Sequence, residues 1–399
     1  MGGDVPDMSF AFDQGQRVMT SNANSPRSKV NPIPRSSLPG RVVLVMQGGG
    51  APGAYQAGAY QALHEASIEP DWVVGTSIGA INGAIIVGNE VSDRVEKLRE
   101  FWARLDTHLP KPWNEFVPLV TGVPGFCYPN PALVWGADVP VGVERAAMYL
   151  VDPLKKLLPT LVDFNLINSG DTRFTLGLTA VETGQMRYFD SKQDRIALDH
   201  VLGSSAVPPC FPAVMVDGEY YWDGGVYSNS PVEVVFDEYP RQSSVVFAIQ
   251  IWPTRGSRPE TLSHAFMREK DIMFGSRSRS HIMRQAELHR MRRIIRELVD
   301  MLPEEDRYSP RVQELAGWSC TTTMHLVEIN AQPIAGETNG RDFDFSRAAV
   351  EARWQAGYAD ACRMLEERPW DGPIDPATQI TLYQSDQPKT EESPAQAGL

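Results

Sequence analysis

The sequence predicts an α/β fold with a mostly parallel central sheet, followed by a mainly helical C-terminal extension. Three observations carry this. Arg41 opens the run VVLVM, five apolar residues of β-branched bias that give way to glycines from Gly48, the pattern of a strand buried on both faces. Residues 53–66, GAYQAGAYQALHEA, are rich in helix formers. A short strand at DWVVG and a helix at Ala80–Val87 follow, completing a βαβα start whose ligands belong at the carboxyl ends of the strands.

The later elements follow in order. Nine prolines fall between Pro110 and Pro159, among Trp113, Phe116, Phe126, Tyr128 and Trp135, so residues 107–168 read as an ordered insertion, a lid or cover over the site. Strands resume at RFTLGLTAV and QMRYFDS; a helix near Ile196–Ser205, a YYWDGG turn and the apolar strand SVVFAIQIW come next, and the core closes near Trp252. From 262 to 302 the sequence is helical and basic, with seven arginines against Glu287 alone between Ser276 and Arg296. Leu288, Met291, Ile295, Leu298 and Leu302 recur at helical spacing, which predicts an apolar inner face and an arginine-rich outer one. A last helix, Ser346–Glu366, carries Val350, Trp354, Tyr358, Ala361 and Leu365 on one stripe for packing against the core. The expected organisation is a disordered segment at 1–39, an α/β domain at 40–255, a helical accessory region at 256–370 and a flexible tail at 371–399.

Composition excludes some function classes. The 399 residues carry 37 Lys and Arg against 50 Asp and Glu, a formal charge of −13, which argues against nucleic acid as a partner. Cys127, Cys210, Cys320 and Cys362 lie far apart with no CxxC pair and no zinc spacing, so neither a disulfide framework nor a metal is expected. The first 40 residues lack the apolar run of a secretory leader, and with sparse cysteine this reads as a cytoplasmic protein. The most apolar stretches are too short to cross a bilayer, so any membrane contact is peripheral, and the arginine-rich helix 276–296 reads either as its docking surface or as a solvated outer face.

Two glycine-rich turns and one acidic turn carry chemistry. Gly48, Gly49 and Gly50, with Gly53, stand directly between a buried strand and a helix, where unobstructed backbone N–H groups suit an oxyanion or a phosphate. GGGAPG does not fit GxGxxG, which argues against a dinucleotide loop. Gly75-Thr76-Ser77-Ile78-Gly79 matches GxSxG between a strand and a helix, the setting of a nucleophile on a strained turn; the plainer reading is a serine helix cap. None of the seven histidines (His64, His108, His200, His264, His281, His289 and His325) stands in a recognisable turn signature. The better base is Asp223 in Tyr221-Trp222-Asp223-Gly224-Gly225, a carboxylate that flanking aromatics can desolvate while two glycines turn the chain away.

GGG after the first strand, GTSIG after the second and DGG beyond, together with TAVETGQMRYFDS and SSAVPPCFPAV, resemble the patatin-like phospholipase family over roughly residues 40–252. RDFDFSRAAVEARWQAGYADA resembles the accessory domain of a bacterial subgroup. The resemblance implies a three-layer α/β/α fold and hydrolysis of lipid acyl esters by a Ser–Asp dyad without histidine or cofactor. It makes Ser77 the nucleophile, Asp223 the base and Gly48, Gly49 and Gly50 the oxyanion loop, with Gly53, Gly75, Gly79, Gly224 and Gly225 supporting the motifs. Pro52 departs from the pattern, since many relatives place Arg or Lys there. Phospholipid or lysophospholipid is the leading substrate expectation. An esterase for hydroxyalkanoate oligomers or neutral lipids, and a non-catalytic glycine-loop binding module, are the alternatives.

Overall fold

A computed structural model describes residues 31–109, 113–334, 336–374 and 379–384. Nine strands form one sheet: β1 Arg41–Met46, β2 Trp72–Gly75, β3 Arg173–Ala180, β4 Met186–Asp190, β5 Val214–Val216, β6 Glu219–Asp223, β7 Ser244–Gln250, β8 Met324–Asn330 and β9 Ile380–Gln384. The order is β9-β8-β7-β1-β2-β3-β6-β5, with β4 on β3's other flank. The first six in that order run parallel; β4 and β6 are antiparallel to β3, and β5 to β6. From β1 the chain winds first toward β3 and later returns on the other side through β7. The switch between these directions opens a crevice at the carboxyl ends of β1, β2 and β7.

Alternation along the strands divides the core between two faces. Val42, Leu44 and Met46 of β1, with Val73 and Phe247, pack toward helices α1 (Ala54–Glu65), α2 (Ile78–Val87) and α3 (Arg94–Arg104). Val43 and Val45, with Val74, Val246 and Leu326, pack on the other face against the short helix Glu233–Phe236 and Ile282. The result is a three-layer α/β/α architecture with a C-terminal region that is mainly helical. A further helix, α4 (Leu198–Ser204), lies over β3, β5 and β6.

The structure differs from the sequence expectation in four places. The sheet does not close near Trp252: β8 and β9 extend it, and β9 lies within the stretch expected as a flexible tail, where Ile380 is buried and pairs with Met324. At the other end, residues 1–30 and 385–399 lie outside the described residues, but 31–39 are tied to the core. Ile33 and Leu38 are buried, and the Ile33 N–H donates to Ala66 O at 2.8 Å. Within the proline-rich insertion, Trp113 and Trp135 are exposed, and the part that reaches the crevice is Val123–Cys127.

The fourth difference is the facing of the basic helix. It runs as α5, Leu262–Met301, and its buried positions are Asp271, Gly275, Ser278, Ile282, Gln285, His289 and Val299. The expected inner stripe faces outward instead, with Leu288, Met291 and Leu298 exposed. Polar partners decide this. Asp271 pairs with Arg341, the Ser278 hydroxyl accepts from Gln47 at 2.9 Å, Gln285 donates to Asp237, and His289 lies 3.1 Å from Thr322 O. These hydrogen bonds and the ion pair, with buried Ile282 and Val299, hold that face of the helix inward. Among the described residues, no helix is long and apolar enough to cross a membrane.

The last helix, α6 (Arg347–Glu367), packs on α1 through reciprocal glycines. A Cβ on Gly58 would sit 1.9 Å from Trp354 O, and one on Gly357 would sit 2.0 Å from Tyr55 O. Backbone oxygens cannot swing aside, so the two axes can approach this closely only without side chains. In an open helix, Gly→Ala stabilises by about 1 kcal/mol. Here Gly58→Ala should instead destabilise, by about 2 kcal/mol, read as a lower urea midpoint at unchanged slope.

Candidate active site

Register on β3 brings the two candidate side chains together. Thr175 and Leu176 pair with β2 and β4 at once, which places those strands on opposite flanks. Leu178 and Thr179 pair with β4 and β6 at once, so β6 shares β2's flank. Along that flank Gly75 sits opposite Leu176 and Asp223 opposite Leu178, a separation of about 7 Å at strand spacing. Ser77 follows Gly75 by two residues and rises into the gap.

Ser77 has φ 57 and ψ −127, a strained backbone for a side-chain-bearing residue and the start of α2. Gly75 and Gly79 permit the turn: a Cβ on Gly75 would lie 2.5 Å from Gly79 O, and one on Gly79 would lie 2.3 Å from Met46 O. The Ser77 N–H is engaged by Ser204, 3.1 Å to its carbonyl and 3.2 Å to its hydroxyl, and that hydroxyl donates onward to Gly177 O at 2.8 Å. Ser77 makes no side-chain cap contact with α2, so its hydroxyl remains available.

Asp223 is 2% exposed. Burial pushes its carboxyl up from 3.8 to about 7, opposed by the Ser77 hydroxyl and the Gly225 N–H, both of which hydrogen-bond to it. The Gly225 N–H lies 2.6 Å from Oδ1. On the backbone, Asp223 N–H donates to Ala206 O at 3.0 Å and the Thr179 hydroxyl donates to Asp223 O at 3.0 Å. Gly224 presses against β3, since a Cβ there would meet Gly177 O at 2.4 Å.

The glycine loop is braced from beyond the expected site. Gly48 N–H donates to Asn229 O at 3.1 Å, while Gly48 O accepts from Asn229 Nδ2 at 3.0 Å and from Trp252 Nε1 at 2.7 Å. Gly48 is thus fully engaged in holding the loop, with its Cα against Ser77 Cβ. The N–H groups of Gly49, Gly50 and Ile78 donate to no protein acceptor among the described residues. Gly50 has φ +67, and a Cβ on it would meet Asp342 O at 2.7 Å. Gly53 abuts Ile78, and Pro52 is buried in the helical turn between the loop and α1.

These residues open on one cavity of about 460 Å³, within the range for an acyl-sized ligand. Gly48, Gly49, Gly50, Ser77, Asp223 and Asn229 form its polar floor, and Val123, Phe126 and Phe211 part of its apolar wall. The C-terminal region completes that wall with Lys270, Met273, Phe274 and Arg277 from α5 and Asp342, Phe343 and Phe345 from the turn before α6. No histidine lines the cavity; His64 is held by Glu69 at 2.6 Å and His281 lies 3.7 Å from Glu233. The described residues hold no group of three or more His, Cys, Asp or Glu able to bind a metal.

Sequence reasoning missed Asn229, Ser204, Trp252 and the whole C-terminal contribution. Asn229 lies only six residues past Asp223, yet no motif marks it. Trp252 reads as the end of a strand, and Ser204 as the end of a helix.

Comparison with known proteins follows the same division of the chain. A family model described as patatin-like phospholipase matches residues 44–236, and a second, described as patatin phospholipase, matches residues 272–377. The chain is 27% identical over 222 residues to patatin-like phospholipase domain-containing protein 6 of Mus musculus, covering 55% of this chain and 14% of that protein. It is 24% identical over 257 residues to domain-containing protein 7 of Rattus norvegicus, covering 64% and 15%. The chain therefore spans only a small part of the length of these relatives. Among solved structures, VipD from Legionella pneumophila aligns over 88% of this chain and 72% of its own, with TM-score 0.38 and 14% identity.

Burial of Asp223 makes stability depend on pH. The native carboxyl holds its proton up to about 7, whereas the unfolded one releases it near 3.8, so the group costs stability as pH rises between those values. Asp223→Asn should then be more stable than wild type at pH 8 by roughly 2–4 kcal/mol, with the difference vanishing below pH ~4. Urea unfolding at both pH values checks it.

Proposed function

Because the chain belongs to the patatin-like phospholipase family, we propose that it is a lipid acyl-ester hydrolase working through Ser77 and Asp223. The observation that carries this reading is the buried carboxylate, raised to about 7 and hydrogen-bonded by the hydroxyl of a serine on a strained turn. A base poised near neutral pH accepts a proton readily while still being available in its ionised form.

In this reading the Asp223 carboxylate takes the Ser77 proton as Oγ attacks the ester carbonyl. The oxyanion is received by the N–H groups of Gly49, Gly50 and Ile78, which point to no protein acceptor. Gly48 serves the same loop as its anchor. Asp223 returns the proton to the departing alcohol, leaving an acyl group on Ser77, and water attacks by the same route reversed. The apolar wall of Val123, Phe126, Phe211, Phe343 and Phe345 supports a fatty acyl chain as the acid component. Exposed Met283, Leu288 and Met291, with Arg290, on α5 support peripheral contact with a lipid surface through residues 276–296.

Hydrolysis of acyl esters by wild type, Ser77→Ala and Asp223→Asn tests the reading. Both variants should lose at least about 1,000-fold in kcat while remaining folded. Wild-type kcat/KM should rise with pH and level off above ~7, as the free base ionises. A fluorophosphonate should label wild type and not Ser77→Ala. An unlabelled wild type, or near-normal turnover by Asp223→Asn, would overturn the reading.

A further inference from the structure

Pro52 leaves the glycine loop without a neighbouring cation, yet the cavity it serves has positive charge. Four charged side chains line that cavity: Asp223, Lys270, Arg277 and Asp342. Asp223 is engaged with Ser77 and Gly225. Lys270 and Asp342 pair at 2.7 Å and offset each other. Arg277 forms no ion pair or hydrogen bond among the described residues; His281, one turn further along α5, lies 3.7 Å from Glu233, which also accepts from Tyr188. Among the described residues, the cavity lining therefore holds one guanidinium with no ion-pair partner.

Its position follows from α5. Lys270, Met273, Phe274 and Arg277 recur at i, i+3, i+4 and i+7, one stripe of the helix, and all four line the cavity. The residues beside Arg277 along that helix are wired to the glycine loop. Phe274 packs on Trp252 with ring centroids 4.7 Å apart, and Trp252 donates to Gly48 O; Ser278 accepts from Gln47, next to Gly48. Arg277 thus lines the same cavity as Ser77 and Asp223, on a helix whose neighbouring residues contact the glycine loop.

We propose that Arg277 selects acyl esters whose alcohol portion carries a phosphate group, so that the C-terminal region sets the headgroup specificity of the site. A guanidinium fork matches phosphate oxygens two at a time. Lys270, two turns earlier on the same stripe, donates to Asp342 and, at 3.5 Å, to Asn339 O, leaving a third N–H. A phosphate monoester carries about −1.5 to −2 charges at neutral pH, more than a carboxylate. This proposal rests on the acyl-hydrolase reading for its kinetic form, but its binding form does not.

Two measurements test it together. The first compares kcat/KM for 1-oleoyl lysophosphatidate and 1-oleoylglycerol, both below their critical micelle concentrations, in wild type, Arg277→Gln, Arg277→Lys and the net-charge control Arg311→Gln. Wild type should favour the phosphate ester by about 10- to 100-fold. Arg277→Gln should reduce that ratio about tenfold, Arg277→Lys by less, and Arg311→Gln should leave the ratio as it was. The second titrates decyl phosphate, decanol and inorganic phosphate into folded Ser77→Ala with and without Arg277→Gln, by calorimetry. Decyl phosphate should bind more tightly than either other probe, and the second substitution should weaken it about tenfold.

An unchanged ratio and unchanged decyl phosphate affinity in Arg277→Gln would overturn the proposal. So would inorganic phosphate binding as tightly as decyl phosphate, which would make this a free-anion site, or an effect of Arg277→Gln seen only on vesicles. If wild type cleaves neither ester, the hydrolase reading fails while the titration still decides what Arg277 binds.

Discussion

The site depends on one costly burial. A carboxylate enclosed with only a hydroxyl and one amide as partners is poorly compensated, and a core built for stability alone would not keep it. Its neighbours are arranged to hold it there nonetheless. β3 fixes Asp223 by ladder pairing opposite Leu178, Thr179 and Ala206 bind its backbone, and Gly224 lets the chain lie flat against Gly177. Because β3 also pairs with β2, the strand that sets the carboxylate sets the serine turn as well.

The C-terminal region belongs to this site as much as the first 252 residues do. α5 contributes the wall beside the glycine loop, and Asp342 O fills the space under Gly50. Two more strands join the sheet on the far side of β7. The family models divide the sequence into two matches, 44–236 and 272–377, but the cavity draws residues from both.

Much of this was legible in the sequence where hydrophobicity is periodic or glycine is obligatory. VVLVM, the helix after GGG, DWVVG and the helix after GTSIG all stand close to their expected positions. Ser77 and Gly48 to Gly50 line one cavity because each turn follows the carboxyl end of one of two parallel strands, which strand–turn–helix order already implies; Asp223 joins them by register, since β6 runs antiparallel to β3 and ends opposite Leu178. The facing of α5 was not legible. Most of its inner positions are polar or small, and several are held by residues far along the chain: Arg341 for Asp271, Gln47 for Ser278, Thr322 for His289. Hydrophobic periodicity cannot register such pairing. β8 and β9 escaped notice for a related reason, since His325 and Glu328 interrupt the apolar pattern of MHLVEIN and ITLYQ is short.

The reciprocal glycines of α1 and α6 also bear on how the protein comes into being. On the ribosome, the turns that carry Ser77 and Asp223 emerge long before Asp342, Phe345 and Gly357 are synthesised. Until they arrive, the helix that anchors the glycine loop lacks its neighbour and the cleft lacks its front wall. Until then Ser77 and Asp223 are flanked by Val123, Phe126, Phe211 and the α5 residues but not by the wall that Phe343 and Phe345 add, so the last part of the chain to be made is the part that finishes the cavity.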